Sequence, residues 1–236
     1  EKPDVYYQLS QAVHGISDAC STFETPVVSG NVSLYNETAG RAVYPTPVVG
    51  MLGMLDNVTK HLRAGFQREG CEVWLLGAGI EQPAATLAGS EYLEAVHGRV
   101  AGLPAVDLQA ERRLQGLVLR ANEEGLLLSA HDCADGGLAV ALAECAVFGG
   151  VGFQGERELN GRDDAALFGE GQGRIVVSLA PESFRQAGGP ARLRDLAREA
   201  GVPLTRLGRT ENGEGFAFGP IETTTQELRT AYEHGL

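Results

Sequence analysis

The residues best able to do chemistry stand in three short stretches. The first is Ser29-Gly30-Asn31-Val32-Ser33-Leu34-Tyr35-Asn36-Glu37, directly after the apolar Pro26-Val27-Val28. A polar stretch leaving a strand lies where the chain emerges at a sheet end and ligands are often held. Gly30 lets backbone approach a bulky anion closely. Asn31 offers a neutral carboxamide oxygen, a fair Mg²⁺ ligand where phosphate already supplies negative charge, and Ser33 can donate to a phosphate oxygen. The same residues also suit a polar turn leading into Asn36 and Glu37, and the pattern alone leaves both readings open.

The second stretch, His131-Asp132-Cys133-Ala134-Asp135-Gly136-Gly137, reads as a polar loop between a strand and a helix. Asp135 is a natural N-cap, the glycines expose N–H groups suited to an anion, and Asp132 with His131 could instead touch a metal. Capping plus a tight turn accounts for most of the same residues. The third stretch, Phe168-Gly169-Glu170-Gly171-Gln172-Gly173-Arg174, has the glycines of a phosphate-binding turn, but a strand follows where a helix should. Gly77-Ala78-Gly79 lacks the full dinucleotide fingerprint. His14, His61, His97 and His234 are isolated, and Arg192, Arg194 and Arg198 share a solvated helix face with Asp195 and Glu199. No Ser/His/Asp, zinc-ligand or paired-carboxylate pattern stands out.

The elements that must position these stretches follow from periodicity. Val5, Leu9, Val13, Ile16, Cys20 and Phe23 predict an amphipathic helix capped by Asp4. Residues 26–28 read as a short buried strand and 44–55 as a longer β-type run. The texture turns polar over 56–70, which places a domain boundary there, with units 1–58 and 59–236. Beyond it, strands are expected at 71–76, 126–128, 152–154 and 174–179. Helices are expected after Asp107 (Ala110, Leu114, Leu117, Ala121), over 138–148, over 191–200 and over 224–232. The class is α+β: from about Gly70 onward, one mixed sheet with helices packed on it. The first 55 residues supply too few elements for a core, so they are expected either to pack on the rest or to lack an N-terminal portion.

Composition narrows the function. The 236 residues carry 19 Lys+Arg against 31 Asp+Glu, a formal net charge of −12. That balance argues against broad nucleic-acid or anionic-membrane binding but leaves room for a phosphorylated ligand held by backbone N–H groups and metal ions. The longest nearly pure apolar run covers nine residues, 47–55, against the roughly 20 a spanning helix needs. Nothing at the N-terminus marks secretion. Cys20, Cys71, Cys133 and Cys145 form no CxxC pair and read as reduced cytosolic thiols.

Taken together, SGNVSLYNE, PTPVVGMLG, AGSEYL, HDCADGGLAVALAE and FGEGQGR, in this order, resemble the C-terminal part of phosphoribosylformylglycinamidine synthase, the formylglycinamide ribonucleotide amidotransferase family. NVSLYNE is the specific string. HD-x-x-DGGL and FGE-x-x-GR are shared with the wider aminoimidazole ribonucleotide synthetase superfamily. The resemblance implies the tail of an N-terminal-type domain followed by a whole C-terminal-type domain, from the second of two copies. It also implies a cytoplasmic ATP-dependent ligase in purine biosynthesis: ATP activates the formylglycinamide oxygen, and ammonia displaces phosphate to leave an amidine. ATP and Mg²⁺ are the implied cosubstrate and cofactor.

On the same resemblance, Gly30 contacts ATP, Asn31 ligates magnesium and Ser33 contacts the ribonucleotide. The catalytic histidine lies outside this chain, which is therefore expected to be inactive alone. His131 is not a substitute for it, and Asp132 takes the place of a metal-binding aspartate of the other copy. Ser29 departs from the glycine common in the family. Ammonia is expected from a separate glutaminase subunit with a small bridging subunit. Two rival readings are another ligase of the superfamily, of selenophosphate synthetase or hydrogenase-maturation type, and a non-catalytic module that docks a glutaminase.

Overall fold

A computed structural model describes residues 3–33, 37–156, 158–159, 161–180 and 188–235. The chain divides into two compact units, Glu1–Asp56 and Asn57–Leu236.

In the first unit, α1 (Pro3–Phe23) carries the expected stripe. It already begins at Pro3, so Asp4 lies in its first turn and is not the cap; proline's fixed φ suits that first helical position. The helix ends at Glu24, which takes the left-handed conformation at φ 56°. Two expectations fail in this unit. Residues 26–28 and 44–55 form no strand, and Val28, Tyr44, Leu52 and Met54 are each at least 90% exposed. The one ladder among the unit's described residues is the small pair β1 (Glu37–Thr38) and β2 (Arg41–Ala42). A strand needs a neighbour to take its N–H and C=O groups. Apolar β-type runs announce a preference for burial without supplying the partner.

The second unit is built on a seven-stranded sheet of β3 (Glu72–Gly77), β4 (Leu127–Asp132), β5 (Gly152–Gly155), β6 (Arg174–Leu179), β7 (Leu204–Glu211), β8 (Gly215–Phe218) and β9 (Ile221–Thr224). The order is β4-β6-β3-β7-β5-β8-β9, antiparallel throughout except for the β5–β8 pair. Side chains alternate between the faces of a strand, and the CEVWLL run is apolar on both. Val73 and Leu75 enter one core with Phe153, Phe216, Phe218, Leu138 and Leu142. Trp74 and Leu76 enter the other with Leu114, Leu117, Leu193 and Leu196.

Helices α4 (Gly137–Gly149), α5 (Asp163–Phe168) and α7 (Thr225–His234) accompany the first core. Helices α3 (Leu108–Glu123) and α6 (Gly189–Ala200) cover the second. Asp107 caps α3 as expected, accepting from the N–H groups of Gln109 and Ala110 at 3.0 Å each. Thr224 and Glu227 form a reciprocal capping box on α7. Of the arginines expected on a solvated face, Arg194 and Arg198 are exposed, and Arg198 pairs with Asp195 at 2.6 Å. Arg192 holds Glu124, the C-cap of α3, through two 2.7 Å bonds, and Arg194 lies 4.8 Å above the Trp74 ring. Periodicity missed α5, the short α2 (Glu91–His97) and strands β7 to β9.

Register sets what the sheet brings together. Gly77 pairs with Arg174, and Asp132 with Ile175. The loops after β3 and β4 and the loop before β6 therefore meet at one sheet end.

Candidate functional site

Gly30, Asn31 and Ser33 all lie exposed on irregular backbone that runs on from α1 through Thr25. Leu34, Tyr35 and Asn36 of the same motif lie outside the described residues. A Cβ built on Gly30 would meet nothing within 4 Å. Upstream, Val13, Ile16, Ser17, Cys20, Ser21 and Val27 help to line an open groove of about 590 Å³ between α1 and the segment that leads toward Gly30. Among the described residues no three His, Cys, Asp or Glu side chains gather as a metal site. Asn31 carries a neutral carboxamide oxygen, a donor of the kind that joins phosphate oxygens and water around Mg²⁺.

The second stretch is arranged differently from its sequence reading. His131 and Asp132 end strand β4, so the loop starts at Cys133. His131 faces α4: its Nε2 lies 2.9 Å from Glu144 Oε2, its Nδ1 3.4 Å from Asp132 Oδ1, and its ring leans on Phe148. Those contacts occupy both ring nitrogens. Asp135 does not cap α4. The cap position is Gly136 at φ 77°, with no side-chain cap bond of its own. The carboxylate comes from another loop, where Glu170 Oε1 accepts the Gly136 N–H at 2.8 Å and the Glu91 N–H at 2.9 Å. Burial pushes the Cys133 thiol up to about 11, against the lowering influence of Arg174, and pushes Cys145 up as well. Neither is a nucleophile at neutral pH.

The glycines of the third stretch serve close packing. A Cβ on Gly137 would stand 2.6 Å from the Gly169 carbonyl oxygen, and one on Gly171 would stand 2.8 Å from Gln82 Oε1. Gly77, at φ 98°, leaves no room for a Cβ beside the Gly173 carbonyl. That explains Gly77 without a nucleotide, whereas a Cβ on Gly79 would meet nothing within 4 Å. Arg174 is 2% exposed. It donates through Nε to Gly171 O at 3.2 Å and through Nη2 to Gly169 O, and desolvation holds its pKa below the ordinary arginine value. Sequence reasoning gave Glu170 and Arg174 no individual role. The available signal was a lone acid and a lone base set among glycines, where neither can be ordinary surface filler.

The chain matches two descriptions of one family: AIR synthase related protein, N-terminal domain, over residues 1–55, and AIR synthase related protein, C-terminal domain, over residues 68–219. It is 46% identical to the phosphoribosylformylglycinamidine synthase subunit PurL of Thermomicrobium roseum over all of this chain and 31% of that protein. Against PurL of Moorella thermoacetica it is 49% identical over 89% of this chain and 27% of that protein. The chain thus spans less than a third of the length of these curated relatives. Among solved structures it resembles T. maritima PurL complexed with FGAR (TM-score 0.60, 19% identity, 73% of this chain and 30% of that one). It also resembles T. maritima PurL complexed with ATP (TM-score 0.56, 18% identity, 73% and 28%) and PurLQS from Thermotoga maritima (TM-score 0.54, 20% identity, 73% and 28%). These structures share the mixed sheet with packed helices.

Proposed function

The chain belongs to the AIR synthase related family, and on that premise we propose that it is the C-terminal part of an ATP-dependent C–N ligase of purine biosynthesis. In this reading the ligase converts formylglycinamide ribonucleotide and ammonia to the amidine. The observation that carries the reading is the 46% identity to a PurL subunit along the whole chain. Residues 1–58 are then the tail of an N-terminal-type domain, and 59–236 the C-terminal-type domain.

Within this reading, Gly30 lets the ATP phosphates approach backbone, Asn31 supplies one oxygen ligand to Mg²⁺, and Ser33 donates to the ribonucleotide. Their exposure on open backbone supports the assignment. The Mg²⁺ ion supplies neutralisation of phosphate charge, and the chain's own task is to bind and orient. Glutaminase and small bridging subunits are the partners proposed, with T. maritima PurLQS as the precedent for an assembly. The place of action proposed is the cytoplasm. Among the described residues no helix is long and apolar enough to cross a membrane.

The test is phosphate release by the complete polypeptide with ATP, Mg²⁺ and ammonium. Release that requires formylglycinamide ribonucleotide is expected. Release with selenide in its place would favour a selenophosphate-type ligase, and no release with either would favour a docking module. The 236 residues alone are expected to give no turnover.

A further inference from the structure

Helix α1 ends in a corner that leads into the polar stretch of residues 29–33. Three consecutive residues build it. Glu24 takes left-handed backbone at φ 56°, one of two residues other than glycine to do so among the described residues. The other, Ala39, lies beside Gly40 in the two-residue turn that joins β1 to β2, where left-handed backbone is the rule. Thr25 is tied to the helix end twice: its N–H donates to Cys20 O at 3.0 Å, and its hydroxyl donates to Phe23 O at 3.3 Å. The first bond reaches back five residues, as in helices closed by a left-handed residue. Pro26 then fixes its own φ and biases Thr25 toward extended backbone.

Glycine is the usual residue at such a corner, and a Cβ there weighs against the turn by about 5–30-fold. Backbone kept in a disfavoured conformation clusters where position serves function. The groove on α1 shows what this corner achieves. Val27, three residues past Glu24, shares that groove with Val13, Ile16 and Cys20. Val13 stands ten residues before the helix end, roughly 15 Å back along its axis. The chain therefore doubles back along the helix it has just left. Residues 25–33 lie in no helix or strand, and Gly30 stands four residues beyond Pro26. The corner is thus the nearest fixed point from which Gly30, Asn31 and Ser33 take their place.

We propose that Glu24 is a positioning residue whose left-handed turn sends the chain back along α1 and so sets where Gly30, Asn31 and Ser33 meet their ligands. The inference rests on the roles proposed above for those three residues.

The test uses the complete polypeptide, with thermal unfolding, calorimetric binding of Mg-ATP and the KM for formylglycinamide ribonucleotide as readouts. Glu24→Gly keeps left-handed backbone accessible, Glu24→Gln removes the charge alone, and Glu24→Val brings the branched Cβ least suited to the turn. Glu24→Gly and Glu24→Gln are expected to bind both ligands as wild type does. Glu24→Val is expected to bind each about 5–30-fold more weakly, as the fraction of molecules with the turn intact falls. Thr25→Ala, which removes the hydroxyl bond of the same corner, is expected to weaken binding by less, and it carries the test where Glu24→Val does not fold. A Glu24→Val protein that melts lower yet binds both ligands as wild type does overturns the proposal, because the turn then serves the helix alone. Equal losses in Glu24→Gln and Glu24→Val also overturn it and assign the effect to the carboxylate. Failure of the underlying reading looks different: Asn31→Ala and Ser33→Ala then keep wild-type constants in the same assays, and the inference falls with it.

Discussion

Alanine in place of Gly137 tests how tightly the loop of residues 168–174 is packed on α4, and the chain contains its own control. Gly125, which ends α3, and Gly137 both take left-handed backbone, at φ 69° and 71°. Their surroundings differ. A Cβ on Gly125 meets nothing within 4 Å, whereas one on Gly137 stands 2.6 Å from Gly169 O, 2.9 Å from the Phe168 carbonyl carbon and 3.1 Å from Leu167 O. All three neighbours are backbone atoms, so no rotamer change relieves the contact. Gly125→Ala is therefore expected to lose only the left-handed cost, about 1–2 kcal/mol. Gly137→Ala is expected to lose about 1–3 kcal/mol beyond that, the usual range for overpacking. Urea unfolding followed by the fluorescence of Trp74, the chain's single and buried tryptophan, reads both values. Equal losses for the two variants would refute the argument, because the helix and the loop would then not approach as closely as described.

Two further outcomes follow from buried and half-buried polar groups. Ser129 and Ser178 hydroxyls, both within 1% exposure, lie 2.6 Å apart across β4 and β6. Ser129→Ala or Ser178→Ala alone is expected to cost about 1–3 kcal/mol, and the double variant less than the two singles together, as a double-mutant cycle in urea will show. Glu111 has its pKa raised by burial, against the lowering effect of the Gly173 N–H. A raised native value means that its contribution is favourable below the ordinary 4.5 and is lost as pH rises through the native value. Glu111→Gln, which still accepts from Gly173, is expected to melt higher than wild type at pH 7, with the gap closing toward pH 4 in a pH series of thermal scans.

The second unit was legible where a strand carries its own two-faced pattern or a helix its own cap. CEVWLL had to be a buried strand, and Asp107 announced its helix by a side chain two and three residues from the N–H groups it accepts. Strands β7 to β9 were not legible, because polar Arg206, Arg209 and Glu222 interrupt the apolar positions of β7 and β9, β8 has only four residues, and ladder pairing fixes the strands. The Glu170 cap was invisible for a related reason. It acts on Gly136 across 34 residues and on Glu91 across 79, while sequence rules look for a cap next to the helix. Residues 26–28 and 44–55 show the opposite failure, an apolar pattern with no strand beside it in their unit.

The central proposal, that this chain brings ATP-linked Mg²⁺ and ribonucleotide contacts to a ligase, turns on Asn31 and Ser33. The most direct measurement is steady-state kinetics of Asn31→Ala and Ser33→Ala in the complete polypeptide, with ATP and ribonucleotide varied separately. Asn31→Ala is expected to weaken Mg-ATP use by about 5–150-fold, the loss of a single contact of about 1–3 kcal/mol. Ser33→Ala is expected to raise the KM for formylglycinamide ribonucleotide. Constants unchanged from wild type in both variants would contradict the account.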